Sequence, residues 1–72
     1  MSTFVLAIDG MHCASCGMSI DEAVEDLPGV RRSWTDMRAE RTTVELDGTG
    51  ATPTEVVAAI EAEGYRAALV GP

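Results

Sequence analysis

The chain contains no lysine. It has five arginines and twelve acidic residues, which gives a net charge of −7. This excess of negative charge argues against nucleic acid or an anionic membrane surface as a partner. An acidic surface can instead guide the chain toward a basic partner. A host-wide compositional bias is the other explanation for the acidity, and one sequence does not separate the two.

The chain also lacks a long apolar run. No run exceeds the length of residues 4–8, which falls far short of the ~20 residues that span a bilayer, and no basic segment precedes this run as in a signal peptide. A cytoplasmic location is therefore expected, either alone or as part of a larger cytoplasmic protein. At 72 residues the chain should form one domain, residues 1–72, with little room for an enclosed substrate pocket.

Aromatic residues are also scarce, with one Phe, one Trp and one Tyr, so Val, Leu, Ile, Ala and Met must supply most of the core. Alternation over residues 3–9 predicts a strand that ends at Gly10. Helical spacing then starts at Ala14 and should end at Pro28-Gly29. The predicted buried stripe of this helix is Cys16, Ile20, Ala23, Val24 and Leu27. Its predicted outer face carries Asp21, Glu22, Glu25 and Asp26.

Residues 30–37 and 41–47 are predicted to form a β-hairpin. Two arginines interrupt the apolar pattern of the first strand, and the favoured register turns Ser33, Thr35 and Met37 inward and Trp34 outward. The inward residues of the second strand are Thr42, Val44 and Leu46.

A second helix is expected to start at a Thr52 N-cap, with Pro53 at its first position and Glu55 at capping-box spacing. It should run to about Glu63 and end at Gly64, before a short strand over residues 65–70. Its predicted inward side chains are Val56, Ala59, Ile60 and the aliphatic stem of Glu63.

The predicted order is β-α-β-β-α-β, an α+β class. Two helices with one apolar stripe each can cover one face of a four-stranded antiparallel sheet, which is the ferredoxin-like sandwich. The other sheet face would stay open. On that face Trp34 marks either a partner patch or an isolated surface tryptophan.

Both cysteines lie at the predicted start of the first helix. Cys13 and Cys16 are three residues apart, so both sulfurs can turn toward one point, where the helix N-terminus stabilises thiolate. Two thiolates suit copper(I), whereas zinc usually takes four ligands. A thiol-disulfide oxidoreductase is the competing interpretation, although the chain is short for a thioredoxin-like fold.

Residues 10–16, Gly-Met-His-Cys-Ala-Ser-Cys, resemble the Gly-Met-x-Cys-x-x-Cys signature of heavy-metal-associated domains. These domains include bacterial copper chaperones and N-terminal modules of heavy-metal-transporting P-type ATPases. Residues 27–30, Leu-Pro-Gly-Val, resemble the family's turn after the first helix. Residues 63–65, Glu-Gly-Tyr, resemble the Gly-Tyr before its last strand. The resemblance covers nearly the whole chain.

The resemblance implies the same fold and a copper(I) carrier rather than an enzyme. It implies that Cys13 and Cys16 are the metal ligands, that Met11 packs beneath the loop and that Tyr65 lies near the site. Copper(I) would pass by thiolate exchange to or from a heavy-metal-transporting P-type ATPase or its metal-binding domain. The apo chain is expected to be a monomer, and copper(I) can bridge two such loops into a dimer. The chain's extent suits a free-standing chaperone, and a domain excised from an ATPase would look the same.

His12 departs from the common copper signature, which usually has Thr or Ser at that place. Imidazole is a common metal donor, so Cys13, Cys16 and His12 together define an alternative zinc or cadmium site. The other interpretations of His12 are a role in tuning or gating copper binding and an exposed loop residue. Met18, two residues after Cys16 and off the apolar stripe, is either a soft contact beside the site or a surface methionine.

Overall fold

The computed structural model describes residues 2–11, 14–48 and 50–71. It contains six elements in the predicted order. They are β1 (Ser2–Asp9), α1 (Ala14–Glu25), β2 (Val30–Asp36), β3 (Arg41–Leu46), α2 (Pro53–Ala62) and β4 (Arg66–Gly71). Neither helix has the length and apolarity needed to cross a membrane, within the part of the chain that is described.

The four strands form one antiparallel sheet in the order β2-β3-β1-β4. Alternate residues of β1 and β3 point to the helices and form a single core with the apolar stripes of α1 and α2. The fully buried apolar side chains are Leu6, Ile20, Val24, Val44, Val56 and Ile60. The ferredoxin-like α+β sandwich predicted from the sequence is therefore confirmed.

The favoured register of β2 is also confirmed, with Ser33 buried and Trp34 exposed. The pairing with β3 runs from Val30 opposite Leu46 to Arg32 opposite Glu45, so Arg31 is an extra residue at a bulge. On the open face the guanidinium carbon of Arg32 lies 4.7 Å from the centre of the Trp34 ring, a cation-π contact.

The predicted capping of α2 is confirmed at both ends. The side-chain oxygen of Thr52 accepts a hydrogen bond from the backbone N–H of Glu55 at 3.3 Å, and Pro53 is the first helical residue. Gly64 follows the C-cap with a φ of 98°, a conformation that glycine adopts without steric cost. The expected inward packing of the Glu63 stem is wrong, because Glu63 is exposed at the helix end.

Candidate metal-binding loop

Cys16 lies in the first turn of α1, on the stripe that faces the core. The side chain is 9% exposed, and the stripe continues through the fully buried Ile20 and Val24. The first four backbone N–H groups of a helix lack intrahelical acceptors, and together with the helix dipole they stabilise a thiolate. The first turn of α1 carries no acidic side chain to oppose that effect. The helix N-terminus therefore acts to stabilise a thiolate at Cys16.

His12 and Cys13 lie outside the described residues. The convergence of the two thiols and the participation of the imidazole thus stay predictions from the sequence. Within residues 2–11, 14–48 and 50–71, no group of three or more His, Cys, Asp or Glu side chains is placed to hold a metal ion.

Met11 belongs to the described part of the loop, and Tyr65 lies beside it. Gly10 has a φ of 102°, and Cδ1 of Tyr65 lies 3.7 Å from the position that a Cβ on Gly10 would occupy. The Tyr65 ring therefore lies against the point where the chain leaves β1. Met11 and Tyr65 are both partly buried and pack against the core. Their relation to a bound metal stays a prediction.

Gly17, the residue after Cys16, permits close contact between α1 and β2. A Cβ on Gly17 would lie 3.2 Å from Sδ of Met37 and 3.3 Å from Cγ2 of Thr35. Such separations are shorter than ordinary contacts between carbon atoms. This role was not predicted from the sequence, although a glycine inside a helical pattern was a signal for it.

A second feature that sequence reasoning missed lies one turn farther along α1. Asp21 was predicted to face solvent, but its carboxylate accepts hydrogen bonds from Ser33 Oγ at 2.8 Å and from Thr35 Oγ1 at 2.9 Å. Glu25, also assigned to the outer face, accepts a hydrogen bond from the backbone N–H of Ser33 at 3.0 Å. Inward-facing hydroxyls on β2 turn the Asp21 carboxylate toward the sheet, and a backbone N–H of the same strand does so for Glu25.

Glu22 and Asp26 do face outward, as predicted. Glu22, Glu25 and Asp26 line an open groove between the two helices, and Glu63 lines its other side. Met18, 69% exposed, lies on the same helix, five residues after Cys13 of the candidate metal-binding loop, residues 10–13. This part of the surface combines negative charge with one exposed thioether.

Comparisons of the sequence with known proteins agree on one family. The model of the heavy-metal-associated domain matches residues 5–66. "Copper-transporting ATPase 2" of Rattus norvegicus is 37% identical over 62 residues, which are 86% of this chain and 4% of that protein. "Copper chaperone CopZ" of Enterococcus hirae is 31% identical over 64 residues, which are 89% of this chain and 93% of that protein.

A solved structure supports the same relationship. It is the N-terminal domain of a potential copper-translocating P-type ATPase from Bacillus subtilis in the Cu(I)-loaded state. It superposes with a TM-score of 0.91 at 28% identity, covering 96% of this chain and 86% of that one. The family match covers most of the chain, and the predicted signature, fold and turn positions agree with it. The chain belongs to the heavy-metal-associated domain family.

Proposed function

We propose that this domain carries copper(I) on the thiolates of Cys13 and Cys16 and transfers it to a partner by ligand exchange. The observation that carries the proposal is the position of Cys16 in the first turn of α1, where the helix N-terminus favours thiolate. Cys13 precedes that turn in the sequence, at the spacing of the family signature. Thiolates are soft ligands and select copper(I) over hard cations.

Transfer rather than catalysis fits a site made from a loop and the first turn of a helix. A partner thiolate that approaches the loop can join the two ligands, and one original ligand then leaves. The metal is cargo in this scheme, and the domain changes only its location. Relatives named as copper-transporting ATPases and as a copper chaperone support this assignment. Most of each transporting ATPase lies outside the part that this chain matches.

The charge distribution favours a basic partner surface that docks on the helix side of the domain. The proposed location of this encounter is the cytoplasm. Helix α1 contains three acidic residues and α2 contains two, and neither contains a basic residue. All five arginines lie on strands or in the turn between β2 and β3. Because α1 follows the metal-binding loop directly, a partner drawn to the acidic groove would meet the loop. We propose a copper-transporting P-type ATPase, or its metal-binding domain, as that partner.

The test is competitive metal binding on the fully reduced protein without oxygen. Copper(I) and zinc(II) are each titrated against chelators of known affinity, and the stoichiometry and Kd are measured. We expect one copper(I) per chain, bound many orders of magnitude more tightly than zinc(II). Tight zinc(II) binding with weak copper(I) binding would move the function to zinc or cadmium handling. Catalysed disulfide reduction with a physiological reductant would instead support an oxidoreductase.

A further inference from the structure

Three hydroxyl groups and one carboxylate form a continuous polar connection from β3 through β2 to α1. Thr35 Oγ1 donates its proton to Asp21 Oδ1, so the 2.9 Å contact between Thr35 and Thr42 must be donated by Thr42. Ser33 Oγ donates to the same carboxylate oxygen. The direction of every bond in the network is thereby fixed.

This network lies between the sheet and α1 and is partly buried. Thr42 is fully buried and Ser33 is 6% exposed. No buried side-chain nitrogen or oxygen within the described ranges lacks a hydrogen-bond partner. Apolar contacts are non-directional, whereas hydrogen bonds depend steeply on distance and angle. The network therefore holds α1 in one rotational and axial position more strictly than the apolar stripe does.

Thr35 carries this constraint to the residue beside Cys16. Its hydroxyl group binds Asp21, while its methyl carbon lies 3.3 Å from the position of a Cβ on Gly17. Gly17 and Asp21 are four residues apart and therefore lie on the same face of α1, one turn from each other. Thr35 thus meets α1 at two successive turns, and its contact at Gly17 lies next to Cys16.

We propose that Asp21 is a positioning residue for the metal site. Held by Ser33 and Thr35, it fixes the rotation of α1 and thereby the place of the Cys16 sulfur relative to the thiol on the preceding loop. The inference rests on the proposed function, in which both thiols bind copper(I). A site divided between a loop and a helix needs the helix held still, because small displacements of a ligand weaken a preorganised site.

The test compares Asp21→Ala and Asp21→Asn with the parent protein. The asparagine variant keeps an oxygen that can accept both hydroxyl protons, whereas the alanine variant has none. We expect Asp21→Ala to raise the copper(I) Kd about tenfold, the lower end of the range for residues that orient metal ligands. Asp21→Asn should recover most of that loss. Glu61→Ala removes an equal charge from an exposed site on α2 and should leave the Kd unchanged.

A second readout requires no metal. Site-resolved alkylation of the apo protein by iodoacetamide, followed by mass spectrometry, reports how well the Cys16 sulfur is held. We expect faster alkylation of Cys16 in Asp21→Ala than in Asp21→Asn. Val56→Ala, in the α2 core, provides a control for lost stability because it leaves the α1–β2 network intact.

The outcomes separate the two proposals. An Asp21→Ala protein with a lower Tm but unchanged Kd and alkylation rate would overturn the positioning role and leave copper carriage intact. Equal losses in Val56→Ala and Asp21→Ala would overturn it as well. A parent protein that binds no copper(I) would overturn the proposed function. The alkylation rates would still show whether Asp21 positions Cys16. If Asp21→Ala does not fold, Ser33→Ala, which removes one of the two hydroxyl donors to Asp21, must show a smaller loss in the same direction.

Discussion

The carbonyl oxygen of Pro28 accepts a hydrogen bond from the backbone N–H of Ala51 at 2.7 Å. This bond joins the turn after α1 to the segment before α2, at the end of α1 opposite the candidate metal-binding loop. The two segments approach so closely that a Cβ on Gly29 would lie 2.7 Å from the backbone nitrogen of Gly50. Gly29 also has a φ of 91°, so the turn requires glycine for two separate reasons.

We predict that Gly29→Ala destabilises the fold by at least about 2 kcal/mol, from the positive φ and from the backbone contact together. Gly64→Ala isolates the first cause, because its φ is 98° but nothing lies within 4 Å of the added Cβ. It should cost about 1 kcal/mol. Gly71→Ala has neither cause and should be neutral. Urea unfolding of the three variants gives the free energies, and an equal loss in Gly29→Ala and Gly64→Ala would contradict the contact argument.

Much of this fold was predictable because its patterns are local. Alternation in β1 and β3, the Thr52 cap and the glycine at position 64 each predicted what the structure contains. The register of β2 was less certain because Arg31 and Arg32 interrupt the alternation. The structure places Arg31 at a bulge, which shifts the pairing by one residue. A bulge depends on the partner strand, which single-strand periodicity does not describe.

The site was predictable in part for the same reason. The cysteine spacing and the change to helical periodicity placed Cys16 at a helix start, and the structure confirms that placement. The inward turn of Asp21 was not predictable, since an acidic residue on an amphipathic helix usually faces water. Its partners, Ser33 and Thr35, come from a strand twelve and fourteen residues away in sequence. Only the packing of α1 on β2 brings them together.

Replacing either cysteine with serine should abolish tight copper(I) binding, because a hydroxyl is a poor ligand for a soft ion. The apo fold should survive Cys16→Ser with a loss of about 1 kcal/mol, typical of single substitutions. Cys13→Ser should remove copper(I) binding to the same extent. Anaerobic titration measures the affinity and circular dichroism the fold. A Cys16→Ser protein with unchanged copper(I) affinity would refute the site assignment.

His12→Ala distinguishes the copper site from the three-ligand alternative. If His12 is a loop residue that faces solvent, the substitution should leave the copper(I) stoichiometry at one and the zinc(II) affinity unchanged. If His12 ligates zinc, the zinc(II) affinity should fall by about tenfold or more, since one of three donors is lost. The same chelator competitions give both numbers. We expect the copper(I) Kd to be the same in both proteins.

The acidic groove should determine how fast the domain meets a basic partner. We predict that Glu22→Lys combined with Asp26→Lys slows association with the proposed partner, a metal-binding domain of a copper-transporting P-type ATPase, on the order of tenfold at low salt. Glu55→Lys with Glu61→Lys makes the same change in charge outside the groove and should have a smaller effect. Stopped-flow measurements of copper(I) transfer at several salt concentrations provide the rates. Equal slowing by both pairs would assign the effect to net charge alone.

Gly17 should be the position where helix propensity and packing oppose each other. Alanine inside a helix is favoured over glycine by about 1 kcal/mol, so Gly17→Ala alone would stabilise an isolated α1. In the domain its Cβ would lie 3.2 Å from Sδ of Met37, a flexible side chain, and 3.3 Å from Cγ2 of Thr35, which two hydrogen bonds hold in place. Overpacking typically costs about 1–3 kcal/mol, so we predict a net loss of stability.

Thr35→Ser tests this explanation, because serine keeps the hydroxyl group that binds Asp21 and removes only Cγ2. In that background Met37 can move aside, and Gly17→Ala should become stabilising by up to about 1 kcal/mol as the helix propensity is realised. A double-mutant cycle from urea unfolding gives the coupling free energy between the two positions, which should exceed about 0.5 kcal/mol for residues in contact. Additive effects would mean that Thr35 does not limit the approach of α1 to the sheet. The glycine beside Cys16 would then be a cost in helix stability without a packing reason.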